Sequence, residues 1–299
     1  MPKKTLDQSF RNELPWLLLV APAFLIYTVL TIIPLFHTFF YSFTNFNGLA
    51  PNPDFVGLDN YLRVFSTRAV STSFSNSIVY AVAVPLIITL LAIPLALLLD
   101  SQMRTRHLQR AIFFFPSVIS ALFLGYIWNF VLSPSSQGLI NSQLLSSGQR
   151  KMLLLADPKA AMALLILVTV WTSTGWHSCI YLANLQVIDQ ALYEAASIDG
   201  AGAMQRFRFI TFPNLAPAMT ISVLFLLLNS LKVFDLPFSL TEGGPGYATT
   251  MVTQSIITEG INSNRIGFAS AMSIMFLALI ALVTFFQVGV MSRREEKLA

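Results

Sequence analysis

The chain has 299 residues, 55% of them hydrophobic and 11% charged, whereas an ordinary soluble domain carries roughly a quarter charged residues. A water-facing surface cannot be built from that composition, which excludes a soluble enzyme. The net charge of +4 does not mark a nucleic-acid binder, because the basic residues fall in short clusters at the ends of apolar runs and not on one polar face.

Crossing a bilayer takes about 20 apolar residues, or roughly 30 Å of helix. Runs of that kind extend from Trp16 to Tyr41, Ile78 to Leu99, Ala111 to Leu132, Ala161 to Leu182, Ala216 to Leu236 and Ser270 to Met291. Helices are required, since backbone polar groups in hydrocarbon must be satisfied within the segment or in a closed barrel. Barrel strands would alternate apolar and polar residues, and Leu86 to Leu99 does not. The first run is too long for a secretory signal and lacks a small-residue cleavage site, so it reads as an uncleaved helix. The expected fold class is all-α integral membrane, with six transmembrane helices.

The expected organisation is a cytoplasmic tail over 1–15, one membrane domain over 16–291 and a cytoplasmic tail over 292–299. Six spans place both termini on one side. That side collects Lys3, Lys4, Arg11, Arg104, Arg106, Arg110, Arg206, Arg208, Arg293, Arg294 and Lys297, against Arg63, Arg68, Arg150, Lys151, Lys159 and Arg265 on the other. The richer side is predicted cytoplasmic. Outer loops then fall near 45–75, 133–160 and 240–268, where Asn45-Phe46-Asn47-Gly48 and Gly243-Gly244-Pro245-Gly246 supply turn chemistry. The spans carry Pro22, Pro34, Pro85, Pro94, Pro116 and Pro217, each of which removes an intrahelical hydrogen bond and favours a kink. The single cysteine, Cys179, lies in the fourth span and permits no internal disulfide.

The inner connection from Ala183 to Leu215 has helical character. Asp189 can cap a helix, Ala191, Leu192, Ala195, Ala196 and Ile198 recur near 3.6 residues, and Gly200 is a natural stop. A second short helix is predicted from Ala201 to Ile210, ended by Pro213. Together these predict a helical hairpin on the cytoplasmic face.

Within it stand Glu194-Ala195-Ala196, Gly200 and Ile210-Thr211-Phe212-Pro213. These residues resemble the EAA loop of binding-protein-dependent ABC importer permeases, with Phe212 in place of the usual leucine. Phe55-Val56-Gly57-Leu58-Asp59-Asn60-Tyr61, Phe234-Asp235 and Gly243-Gly244-Pro245 resemble the carbohydrate-uptake branch, best known from maltose and glycerol-3-phosphate importers. The resemblance implies the type I importer permease fold in a bacterial or archaeal cytoplasmic membrane. It also implies an EAA loop at 190–213 whose Glu194, Ala195, Ala196, Gly200, Ile210 and Pro213 couple the chain to ATPase subunits. Further implied partners are a second permease, two ATPase subunits holding ATP and Mg, an extracytoplasmic solute-binding protein and a carbohydrate. An oligosaccharide is the first expectation, with glycerol phosphate or a polyol open.

No glycine precedes lysine, so a G-x-x-x-x-G-K-[ST] phosphate loop is missing and no cofactor is expected on this chain. His37, His107 and His177 lack metal-ligand spacing. A secondary transporter or channel is the alternative, and would call for ionisable relays in several spans or inverted repeats. Ser173 and His177, at i and i+4, are the closest approach to an intramembrane nucleophile and base. For a sugar pathway, aromatic faces and amides point to Trp171, Trp176, Tyr181 and Asn229, although aromatics in membrane helices more often pack or face lipid. Lys232 and Asp235, three residues apart, are predicted on nearly one face of the fifth helix; as charges at membrane depth they should face a polar interior and, with Asn229, border the translocation pathway near its outer gate, the alternative being a place at the outer interface with Lys232 extending its amine towards water.

Overall fold

The computed structural model describes residues 18–101 and 103–296. The expected tail over 1–15, the start of the first span and the last three residues of the C-terminal tail lie outside them. The described residues are almost wholly helical, with one isolated bridge between Thr44 and Phe55. They form two compact units, one reaching Arg63 and including Thr258–Met275, the other comprising Val64–Ile257 with the chain from Phe276 onward.

In the first unit, α1 runs over Leu18–Tyr41 and contains a π turn at Thr28–Ile32, just before Pro34. Behind it the chain is folded by Asn60, at the start of α2 (Asp59–Ser66). Its buried amide donates to the Ser42 carbonyl at 2.9 Å and the Thr44 carbonyl at 2.8 Å, satisfying backbone that no helix satisfies. The Thr44 carbonyl also lies against Gly267, where an added Cβ would come within 2.1 Å of it.

In the second unit the long helix α3 (Arg68–Asp100) buries Tyr80, Val84, Ile88, Ala92, Ala96 and Leu99, a stripe at spacings of three and four. Ala92 and Ala96 let neighbouring backbones approach closely, as small residues do in membrane helix packing. Its main neighbours are α7 (Pro158–Leu185) and α10 (Ala216–Leu231). Leu165, Val168, Tyr181 and Leu226 complete that core. The helices over the second, fourth and sixth predicted spans, α3, α7 and α13 (Ile266–Glu296), outrun those spans at both ends.

Two spans are not single helices. Over the predicted third span, α4 (Arg106–Val118) and α5 (Ala121–Leu132) meet at 92° across an extended Ile119 and Ser120. The bend is held by close packing on both sides. At Gly175 a Cβ would lie 1.8 Å from the Phe113 carbonyl oxygen, and at Gly125 one would lie 1.8 Å from the Ser239 hydroxyl, so α7 and α11 (Asp235–Thr241) press on α4 and α5. The predicted fifth span also ends early. α10 stops at Leu231, Lys232 caps it, and α11 restarts at Asp235 after a non-helical Phe234.

Proline identity does not decide the bends. α3 passes uninterrupted through Pro85 and Pro94, whereas Pro116 sits in the 3-10 turn that precedes the sharpest bend. The remaining helices are α6 (Leu139–Ser146), the hairpin pair α8 (Gln190–Ile198) and α9 (Ala203–Asn214), and α12 (Val252–Ile257).

Candidate functional site: a polar cavity and a projecting hairpin

One face of α7 carries Thr169, Thr172, Ser173, Trp176 and His177, at i, i+3, i+4, i+7 and i+8. The helical period therefore gathers three hydroxyls, an indole and an imidazole into one stripe midway along a membrane-length helix. Opposite stand Pro116 and Ser117 at the bend, Ala121 and Leu124 of α5, Phe225 and Asn229 of α10, and Leu236 of α11, enclosing about 400 Å³. An adjoining hollow of about 220 Å³ adds Tyr80, Val84, Thr169, Ser230 and Val233 and shares Thr172, Ser173, His177 and Asn229.

Most polar groups on these walls are already engaged. His177 Nδ1 pairs with Ser222 Oγ at 2.8 Å, and the Tyr80 hydroxyl with Thr169 Oγ1 at 2.6 Å. Thr172 donates to the Thr169 carbonyl and Ser117 to the Phe114 carbonyl. By contrast, the Ser173 hydroxyl and the Asn229 amide make no hydrogen bond to another described side chain or backbone group. They face open volume with their hydrogen-bonding capacity unspent. Trp176 meets Phe225 edge-on at 5.9 Å, so an aromatic surface stands beside them. A pocket with a few convergent polar groups and an aromatic platform is suited to hold a polyhydroxylated ligand.

The structure redistributes the expected pathway residues. Trp176 and Asn229 line the cavity. Trp171 instead lines a separate apolar cleft with Leu91, Ile112 and Leu167, edge-on to Trp128 at 5.8 Å. Tyr181 is fully buried in the core, its hydroxyl towards Ser222 and Thr89. Lys232 and Asp235 are exposed, belong to different helical segments and form no ion pair with each other, which corrects the expectation of one shared helical face. The break between them, not the spacing, sets their directions. Ser173 and His177 share the cavity, but the imidazole bonds Ser222 and not Ser173, so the nucleophile–base pairing is not formed. Ser117, Thr172 and the Ser222 partner were missed; the stripe on α7 was the readable signal for Thr172.

The second feature is the hairpin. Asp189 accepts from the Ala191 N–H at 2.9 Å and starts α8. The chain reverses at Gly200, whose φ of +77° lies in the left-handed region, with Ala201 N–H closing on the Ala196 carbonyl at 2.8 Å. Gln205 then caps Gly202 at 2.8 Å. The second leg differs from the expected helix ending at Pro213. α9 continues to Asn214 through a π turn at Phe207–Thr211, and only then does the chain bend by 65° into α10. Pro213 stands in the last turn of α9, directly after the π turn. Glu194 and Ala195 are exposed and Ala196, Ile210 and Pro213 half-buried. Leu192, Ile198, Met204 and Phe209 are exposed as well, Ile198 to 87%. Meanwhile Phe207 and Phe212 pack into the core beneath.

Among the described residues, four helices long and apolar enough to cross a membrane, with two bent helix pairs that bring the total to as many as six, and a cavity with polar groups among the helices define a multi-pass membrane permease. Residues 65–296 match the model of the family described as "Binding-protein-dependent transport system inner membrane component", and the chain belongs to that family. It is 33% identical to the "Probable starch degradation products transport system permease protein AmyD" of Thermoanaerobacterium thermosulfurigenes, over 99% of each chain. It is also 33% identical to the "Trehalose/maltose transport system permease protein MalF" of Thermococcus litoralis, over 89% of this chain and 90% of that one. Among solved structures, it superposes on a chain of a bacterial ABC transporter involved in the import of the acidic polysaccharide alginate. The TM-score is 0.83 at 22% identity, covering 97% of this chain and 99% of that one. The fold is thus that of an ABC importer type I permease, as the EAA spacing implied, and the relatives are those of the carbohydrate-uptake branch.

Proposed function

We propose that the chain is one of two transmembrane subunits of an ATP-driven importer that carries an oligosaccharide across the cytoplasmic membrane, with both termini cytoplasmic. The observation that carries this reading is the hairpin. An exposed α8 bearing Glu194 and small Ala195 and Ala196 turns sharply at Gly200 and leads through α9 directly into α10, which walls the cavity. Small residues let such a helix seat closely in a partner's groove, and the carboxylate offers a partner for a basic group. The exposed Leu192, Ile198, Met204 and Phe209 supply apolar contact area beside it.

In this reading two separate ATPase subunits bind ATP and Mg. Their closure pushes the hairpin, and a rigid-body rotation of the helices alternates access to the cavity. A second permease completes the pathway, and an extracytoplasmic protein delivers the solute. A structural neighbour captured in complex with alginate pentasaccharide-bound periplasmic protein supports such a delivery step. Relatives named for starch degradation products and for trehalose/maltose support a saccharide, as does the cavity chemistry.

The test is reconstitution of the complex that copurifies with this chain into proteoliposomes. ATP-dependent uptake of a saccharide, lost in a Glu194→Lys complex of unchanged composition, is expected. Uptake driven by an ion gradient without ATP would refute the proposal.

A further inference from the structure

The cavity on α7 has a feature that the importer reading does not require: among the described residues, no Asp, Glu, Lys or Arg lines either of its two lobes. Its titratable walls are His177 and Tyr80, each already engaged, with Ser222 and Thr169 respectively. What remains to meet a ligand is neutral: the Ser173 hydroxyl, the Asn229 amide, and the Trp176 and Phe225 rings. Lys232 and Asp235 lie on neither wall, and their charges are of opposite sign.

We infer that this chain's half of the pathway selects by charge: it accepts uncharged glycosyl units and disfavours saccharides that bear a carboxylate, sulfonate or phosphate. The inference rests on the reading of the cavity as the saccharide pathway. A hydroxyl-rich ring replaces its water with hydrogen bonds to Ser173 and Asn229 and lays its C–H face on the indole, so it enters with little loss of solvation. An anionic group loses water on entry and meets no cation there. The penalty for an uncompensated charge at membrane depth corresponds to about a hundredfold in equilibrium.

The experiment measures binding to the copurified importer complex in lipid nanodiscs without its solute-binding protein, so that selection by that protein is not read. The probes are radiolabelled maltotriose, trehalose, lactose and raffinose, each with two derivatives oxidised at one primary alcohol, the carboxylate and the isosteric carboxamide. The amide controls for shape, so the carboxamide-to-carboxylate ratio reports charge alone. A ratio of about 100 for whichever parent sugar binds is expected, and Asn229→Arg should shrink it to below about 10. Ser173→Lys serves the same purpose if the first variant does not assemble. A wild-type ratio within threefold of unity overturns charge selection while leaving saccharide binding standing. A cation variant that assembles and leaves the ratio unchanged overturns the assignment to this cavity. Failure of all the neutral sugars to bind removes the saccharide-pathway reading, and this inference with it.

Discussion

The Tyr193 hydroxyl lies 3.0 Å from Thr211 Oγ1, tying the first leg of the hairpin to the π turn at the foot of the second. A second tie, from Arg206 to Ser197 Oγ at 3.2 Å, braces the same two legs. Thr211 is buried, whereas the hairpin tip around Gly200 is exposed. A hairpin so braced can move as one body when pushed at its tip. Removing one neutral hydrogen bond costs about 1 kcal/mol. Tyr193→Phe is therefore expected to lower uptake severalfold while ATP hydrolysis continues. Thr211→Val added to it should do little more, because the Tyr193 contact is then already gone and the Thr211 hydroxyl's other bond, to the Arg206 carbonyl, is long at 3.5 Å. Uptake and ATPase rates of the reconstituted complex provide the check, and independent losses would show that the contact is not a functional tie.

Gly200→Pro is expected to abolish uptake with the protein still in the membrane, because proline fixes φ near −65° and the turn needs +77°. Glu194→Lys should do the same by reversing the charge on the hairpin surface proposed to dock an ATPase. Immunoblotting for abundance, with uptake in the same cells, measures both. Normal uptake by either variant at wild-type abundance would remove the hairpin from the coupling path.

The crossing of α7 over α4 depends on Gly175, because a Cβ there would overlap the Phe113 carbonyl. Gly175→Ala is expected to destabilise the purified protein by about 1–3 kcal/mol through overpacking. At Gly289 nothing lies within 4 Å of an added Cβ, so Gly289→Ala in the same kind of helix should be neutral or slightly stabilising. Thermal unfolding in detergent separates the two, and equal midpoints would mean that α4 yields to the methyl group.

Lys232 and Asp235 lie on opposite sides of a helix break without an ion pair. Their neutralisations should thus be additive. Uptake by Lys232→Met with Asp235→Leu is expected to equal the product of the single effects, with a coupling below about 0.5 kcal/mol. A double variant that transports better than Lys232→Met alone would restore the pairing expected from their spacing.

Cytoplasmic termini and outer loops near 45–75, 133–160 and 240–268 are expected from the basic asymmetry. A reporter active only outside the membrane should work after Gly148 and fail after Ala299. The opposite pattern would invert the topology.

The positions of the apolar runs and the hairpin at 190–213 were legible in the sequence because both are short-range properties. Apolar length is counted along the chain, and Glu194, Gly200 and Pro213 stand at fixed separations within one hairpin. Of the aromatics and the amide expected on a pathway, Trp176 and Asn229 line the cavity. Trp171 and Tyr181 do not, because the same residue types pack cores and clefts just as well. Which prolines bend a helix depended on neighbours. Pro85 and Pro94 stay inside α3, where the packed helix continues around them, while the chain beyond Pro116 turns because α7 and α11 press against it at Gly175 and Gly125. The cavity exists only because that turn, the stripe on α7 and the exposed side of α10 converge from positions more than a hundred residues apart. Sequence spacing carries the period of one helix; volume between helices is set by their crossing, which tertiary packing alone determines.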